Sequence, residues 1–275
     1  MKRLRSNIST AINLMRPLRS AFSQPAAVRW QPWLVGAACL SPFAPLLSPD
    51  DKVFPYFVWS DYTAYQLPIH EFIRAELLRG ELPLWIPWLG NGTPLHANQQ
   101  AGLFHPLWLG LLALAPANQA LKFGLFLHLA AGFAGQYRLA RALGVGTLGS
   151  SLAAALLIQS GFVVNHLEAG HVNLIVGEAL VPWFLFFLHR LLEHPGPRAA
   201  ASVGLAGALL GLGSHPQISY YTCLTGMGWS AAVVLAAQPL SRRARGFFGS
   251  LSPPCWRPRP ARRSWRRPSS WRATG

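Results

Sequence analysis

Residues 60–106 read SDYTAYQLPIHEFIRAELLRGELPLWIPWLGNGTPLHANQQAGLFHP, a polar stretch set between long hydrophobic runs. It opens with an acid beside two tyrosines, Asp61, Tyr62 and Tyr65. An amphipathic segment follows. Ile69, Phe72, Ile73 and Leu77 share one helical face, and His70, Glu71, Arg74 and Arg79 fall largely elsewhere. Pro68 suits the first turn of that helix, and Gly80 followed by Pro83 suits its end. Next come Trp85 and Trp88, the turn Gly90 to Pro94, the amides Asn98, Gln99 and Gln100, and then Phe104-His105-Pro106. The stretch is too polar to cross a bilayer and too rich in placed aromatics for a slack linker. An ordered external loop without chemistry would use the same residue types.

The composition places this loop in a membrane protein. Of 275 residues, 51% are hydrophobic and 12% are charged, against about 25% charged in a soluble domain. The chain reads as an all-α polytopic membrane protein. Its net charge of +15 would suggest a nucleic-acid partner if the basic residues formed a patch on the fold. They lie mainly in the flanks instead, so no nucleic acid is expected. Cys39, Cys223 and Cys255 show neither metal nor paired-disulfide spacing. Cys39 and Cys223 sit in apolar runs and read as buried, inert thiols.

Residues 1–29 form a basic cytoplasmic amino terminus without acids. Residues 30–237 form the transmembrane part, with hydrophobic runs at 30–47, 101–115, 120–137, 147–164, 172–192, 199–213 and 218–237. A spanning helix needs about 20 apolar residues, so the second and sixth runs are short. Taking 101–115 as an interfacial or re-entrant segment, broken near His105-Pro106, puts Arg138, Arg141, Arg190, Arg198, Arg242, Arg243 and Arg245 on one face, as the positive-inside rule favours. Six spanning helices result, with both ends inside. The external loops are then 48–119, 165–171 and 214–217, and six of the nine acids fall in the first. Residues 238–275 are rich in Arg, Pro, Ser and Trp, and this tail reads as disordered. It is either out-of-frame sequence, with the native frame lost near Ser241, or a genuine basic tail that meets anionic lipid.

The loop resembles the first large external loop of the YfhO family, membrane proteins of the GT-C glycosyltransferase type. The resemblance rests on Asp61, Tyr65-Gln66, Pro68, Gly80-Glu81-Leu82-Pro83-Leu84-Trp85, Gly90 to Gly92, Asn98 to Gln100 and Phe104-His105-Pro106. It covers roughly residues 30–237, and His215-Pro216-Gln217 after a glycine-rich helix also resembles that family. It implies the amino-terminal portion of an enzyme in a bacterial inner (plasma) membrane, its active face extracytoplasmic. Such an enzyme moves a sugar from a polyprenyl-phosphate carrier to a cell-envelope glycan or lipid acceptor, among membrane lipids. No cofactor is implied, and a divalent cation is not indicated. Two alternatives stay open: a transporter or flippase of lipid-linked sugars, and an inactive membrane-inserted fragment.

Asp61 is the candidate catalytic residue. An acceptor hydroxyl must lose its proton as the bond from sugar to phosphate breaks, and a carboxylate can take it. A helix cap or a solvated acid would explain Asp61 equally, and Asp50 and Asp51 are rivals. The candidate substrate-binding residues are Tyr65, Gln66, Arg74, Asn98, Gln99, His105, His166, Glu168, His171, His215 and Gln217. Arg74, His166 or His215 would meet the carrier phosphate. His166, Glu168 and His171 could hold a metal, but the two histidines lie five apart, not four as in a helical pair, and no metal ligand is assigned. Glu178 sits about two turns into an apolar run, with His171 or Arg138 as partners. Trp85, Trp88 and Trp108 suit sugar stacking or anchoring at the membrane interface. This topology predicts that externally added thiol reagent modifies a cysteine placed at Asn98 and spares one placed at Arg141. The reverse pattern would overturn the layout.

Overall fold

A computed structural model describes residues 30–49 and 60–236 of the chain. The expectations for 1–29, for Asp50 and Asp51, and for the tail lie outside these residues. The described part is mostly helical. The run at 30–47, read above as one spanning helix, is instead a short α-helix, α1 (Gln31–Leu40), followed by a 3₁₀-helix, Ser41–Leu47. Pro42 and Pro45 lack the N–H groups that a continuing α-helix would use. A π-helical turn, Tyr62–Gln66, leads into α2 (Leu67–Leu78). Gly80, at φ +79°, ends that segment. Trp85–Ile86 and Thr93–Pro94 form a short antiparallel pair, β1 and β2. Two 3₁₀ turns, Leu95–Ala97 and Gln99–Ala101, precede α3 (Pro106–Leu114), which begins at Pro106 and is too short to span.

The remaining helices are α4 (Ala117–Ala142), α5 (Thr147–Ile158), α6 (Gly161–Glu168), α7 (Val172–Glu193), α8 (Pro197–Gly213) and α9 (Pro216–Ala236). Ser160 separates α5 from α6 and caps α6 by accepting from the Val163 N–H. Two segments are long and apolar enough to cross a membrane, Thr147–Glu168 (α5 with α6) and Val172–Glu193 (α7). The other four runs read as spans do not meet both conditions among the described residues. The first is broken, and α4 carries Lys122, His128, Gln136, Arg138 and Arg141. The seventeen residues of α8 are few for a bilayer, and α9 is rich in Ser, Thr and Tyr.

Helix α4 is the hub. It packs most extensively on α7 and α5, and its Leu121, Leu125, Leu129 and Phe133 join Ala154, Ile158, Ile175, Val176 and Leu180 in the main core. Gly132 lets α4 approach α7 closely, because a Cβ there would lie 3.1 Å from the Ala179 Cα. Such small-residue contacts bring helix backbones together. A second core lies beneath the long loop, where Ile69 and Ile73 of α2 meet Ile86, Leu95, Leu103 and Leu112. His70, expected off this face, is buried with Ile69 and Ile73.

Three other expectations change. Trp108 is buried, while Trp85 and Trp88 are exposed, so only the latter two could stack on a sugar or anchor at an interface. Cys223 is exposed rather than buried. His171 is paired with Asp61, and Arg138 lies over the Trp183 ring, so neither serves Glu178.

Burial of two histidines makes the fold acid-sensitive. It holds the imidazoles of His70 and His105 down to about 4, from an ordinary 6.5. The unfolded chain takes up these protons near pH 6.5, and the folded chain does so only near pH 4. The unfolded state therefore binds more protons in that window, and stability falls as pH drops through it. The loss is of order 3 kcal/mol per ring at its limit. Thermal unfolding in detergent should show Tm several degrees lower at pH 4.5 than at pH 7, with a shallower decline for His70→Gln. A flat profile would show that both rings are protonated freely in the fold.

Candidate functional site

The site begins with a turn. Helix α6 ends in a Schellman motif, with Gly170 at φ +78°, the Gly170 N–H on the Leu167 carbonyl and the His171 N–H on the His166 carbonyl. That motif joins the third residue from the helix end to the second residue beyond it, here His166 and His171. Their imidazoles meet through Nδ1···Nδ1 at 2.8 Å, and Phe162 packs edge-on against His166. The five-residue spacing, which matched no helical metal pair, is the spacing of this helix end. The segment 165–171, expected to be a loop, is helical through Glu168.

The same turn receives the start of the long loop. The Asp61 N–H donates to the Ala169 carbonyl. A Cβ on Gly170 would collide with the Tyr62 backbone nitrogen, so only glycine allows this approach. Asp61 precedes the π-helical turn, but its side chain caps nothing. Its Oδ2 instead lies 3.1 Å from His171 Nε2, which removes the helix-cap reading. A carboxylate only accepts, so Nε2 of a neutral His171 carries the hydrogen and its Nδ1 accepts from His166 Nδ1–H. Asp61, His171 and His166 thus form one directed chain. The Asp61 side chain is 64% exposed.

A cavity of about 250 Å³ lies against this chain, lined by Asp61, Tyr65, Gln66, Gln100, His171, Asn173, Leu174 and His215. All three segments read as external loops, or the helix starts beside them, contribute to it. The His215 N–H donates to the Asn173 carbonyl, which ties the start of α9 to the start of α7. His215 Nδ1 accepts from the Gln217 N–H, which leaves Nε2–H as its donor. Behind the wall, the Tyr62 hydroxyl donates to Asn118 Oδ1 at 2.6 Å. Burial first, then the charge of Glu71, raises this phenol far above its usual range.

The other candidates separate. Asn98 does not line the cavity but holds its wall, because Nδ2 donates to the Tyr65 hydroxyl and Oδ1 accepts from the Gln100 N–H. Gln99 points elsewhere, donating to the Leu210 carbonyl and Ser219 Oγ. Arg74 is not at the cavity either. Its Nε–H donates to the Ala115 carbonyl, a tie between α2 and the end of α3. His105 is buried against Trp108, His128 and Gly213. Glu168 lines a different cleft, with Pro42, Phe43, Leu46 and Gln159. Gln217 donates to the Tyr221 hydroxyl. Asn173, Gln100 and Leu174 were missed. Asn173 is the informative one, since it lies two residues beyond His171 at the outer end of an apolar run. Among the described residues, no group of three His, Cys, Asp or Glu side chains is arranged to hold a metal ion.

Compared with protein-family models, with curated proteins and with solved structures, the chain matches none of them.

The chain of rings has a measurable signature. With Asp61 accepting from His171 Nε2–H, His166 should hold its hydrogen on Nδ1 and His171 on Nε2. In ¹⁵N imidazole spectra of the neutral rings, His166 should show that tautomer and lose the preference in His171→Ala. An unchanged His166 would show that the two rings do not share a proton network.

Proposed function

We propose that the chain is a multi-pass membrane protein of the GT-C type that transfers a sugar from a polyprenyl-phosphate carrier to a cell-envelope acceptor at its extracytoplasmic face. Two spanning-length segments support the membrane part. So does the outward-facing apolar surface on the helices, where Leu148, Leu152 and Leu156 of α5, Leu205 of α8, and Leu224, Met227 and Leu235 of α9 are exposed. Exposed apolar belts of this kind mark contact with lipid or partners. The arginine distribution supports the orientation.

The observation that carries the catalytic reading is the Asp61 carboxylate, held 3.1 Å from His171, on the wall of a cavity to which all three external segments contribute. In an inverting transfer the acceptor oxygen attacks the anomeric carbon while its proton passes to Asp61. The bond from sugar to phosphate breaks on the far side, and the phosphate leaves with the electron pair. His171 donates to one carboxylate oxygen and so fixes the plane of the group that takes the proton. Arg74 is engaged with Ala115. Of the groups expected to meet the carrier phosphate, His215 is the one that lines the cavity, and His166 reaches it only through His171.

Asp61→Asn keeps the size of the side chain and removes its basicity. The expected result, in membranes supplied with polyprenyl-phosphate sugar and matched for protein level, is a transfer rate lower by roughly 10²–10⁴-fold with insertion unchanged, the usual scale for a general base. Near-normal transfer by the Asp61→Asn protein would remove Asp61 from the mechanism.

A further inference from the structure

The cleft that Glu168 lines is separate from the Asp61 cavity and has a volume of about 360 Å³. It forms where two helices break beside each other. Helix α1 packs along α5, and the Gln159 side-chain amide donates to the Cys39 carbonyl at 2.6 Å, which ties the end of α5 to the end of α1. Beyond that tie both chain segments change course. Pro42 and Pro45 lie in the 3₁₀-helix Ser41–Leu47, and Ser160 starts α6. Phe43 and Leu46 then form one wall of the cleft, Val164 and Leu167 the other, and Glu168 is the ionisable group among the lining residues.

The cleft borders the outward apolar surface. Val164 in its wall is 41% exposed, and Leu156 and Phe162 on the same two helices are exposed as well. Glu168 is the last residue of the spanning-length segment Thr147–Glu168. In the proposed orientation its carboxylate therefore sits at headgroup depth in the outer leaflet, and Val164 lies one helical turn deeper. Among the described residues no cation or hydrogen-bond donor meets that carboxylate. The last turn of a helix is also where the macrodipole opposes an acid, so the place attracts a positive group on two counts.

These features select an occupant. A carboxylate repels a phosphate that has no balancing cation, so the polyprenyl-phosphate carrier does not belong here. A bare metal ion would find one carboxylate and no imidazole or second acid among the lining residues. A lipid with a positive headgroup matches both halves of the cleft. Its ammonium supplies three N–H donors to the carboxylate, and one of its chains covers the apolar walls.

We infer that this cleft is a binding site for a membrane lipid with a primary-ammonium headgroup, the ammonium on Glu168 and an acyl chain between Phe43, Leu46 and Val164. The inference rests on the membrane location and orientation proposed above, and not on Asp61 as the base.

The test is lipid retention, which needs no turnover. The 275-residue chain is placed in nanodiscs of equal parts phosphatidylethanolamine, phosphatidylcholine and phosphatidylglycerol with identical acyl chains. The lipids that stay bound on release are counted by native mass spectrometry. Phosphatidylethanolamine should be retained over each of the others by roughly tenfold, the scale of one hydrogen bond to a charged group. Phosphatidylcholine carries the same positive charge without N–H donors, and phosphatidylglycerol is an anion. Glu168→Gln keeps the size of an exposed side chain and should abolish the preference with insertion unchanged. Val164→Trp fills the cleft with the carboxylate in place and should lower retention of phosphatidylethanolamine by a similar factor. Equal retention of the three lipids, retention led by phosphatidylglycerol, or a preference indifferent to either substitution would each overturn the site. The underlying reading fails differently. A chain released from membranes by sodium carbonate removes the membrane location and the lipid site together. A carbonate-resistant chain without headgroup preference removes the lipid site alone.

Discussion

Gly170 is the constraint on which the site depends. Its left-handed backbone closes the end of α6, and its missing side chain leaves room for the backbone at Tyr62. Two consequences follow from that one residue. The Schellman geometry lays the His166 ring against the His171 ring. The close approach brings the Asp61 N–H to the Ala169 carbonyl, and with it the carboxylate to His171. Any other residue would be strained at this φ and would also push residues 60–62 away. A local turn preference and a contact between residues more than a hundred positions apart in sequence are thus the same fact.

Much of this arrangement was legible in the sequence. The polar stretch 60–106 stood out because nothing in it could cross a bilayer, and the short segments near 166–171 and 214–217 stood out as polar breaks between apolar runs. Residues from all three line one cavity: Asp61, Tyr65 and Gln66 from the first, His171 from the second and His215 from the third. The arginine distribution made 101–115 an interfacial or re-entrant segment broken near His105-Pro106, and α3 begins at Pro106.

What the sequence hid has physical reasons. The charge of Arg74 suits a phosphate, but its partner is a carbonyl, Ala115, 41 residues away, and no local pattern encodes such a pair. His166 and Glu168 were grouped because their segment read as a loop. On a helix, residues two apart point about 200° from each other, so His166 meets His171 while Glu168 lines the cleft with Pro42 and Phe43. His105, beside a proline, reads as a substrate-binding residue, yet Gly213 at the end of α8 leaves space that its ring fills. Asn173 was lost inside an apolar run, where one amide hardly changes the average. The clue was positional, since a polar side chain in the first turn of α7 sits where N–H groups lack helical partners.

The site divides its work between a solvated group and a dry wall. Asp61 is well exposed, so its carboxylate is hydrated until a ligand displaces that water, and its pairing with His171 is correspondingly weak as a source of stability. Gln66 and Asn173 are buried with unmet atoms, which costs stability unless something meets them. A fold selected only for stability would replace both amides with apolar side chains of similar size, as volume-conserving core exchanges are readily accommodated. Both amides stay buried in the wall of the cavity that Asp61 lines, at a cost that packing alone does not explain. The backbone ties from Asp61 to Ala169 and from His215 to Asn173 then have a second role. They hold the starts of α7 and α9 and the long loop in fixed relation, so that binding need not first order the groups that do the binding.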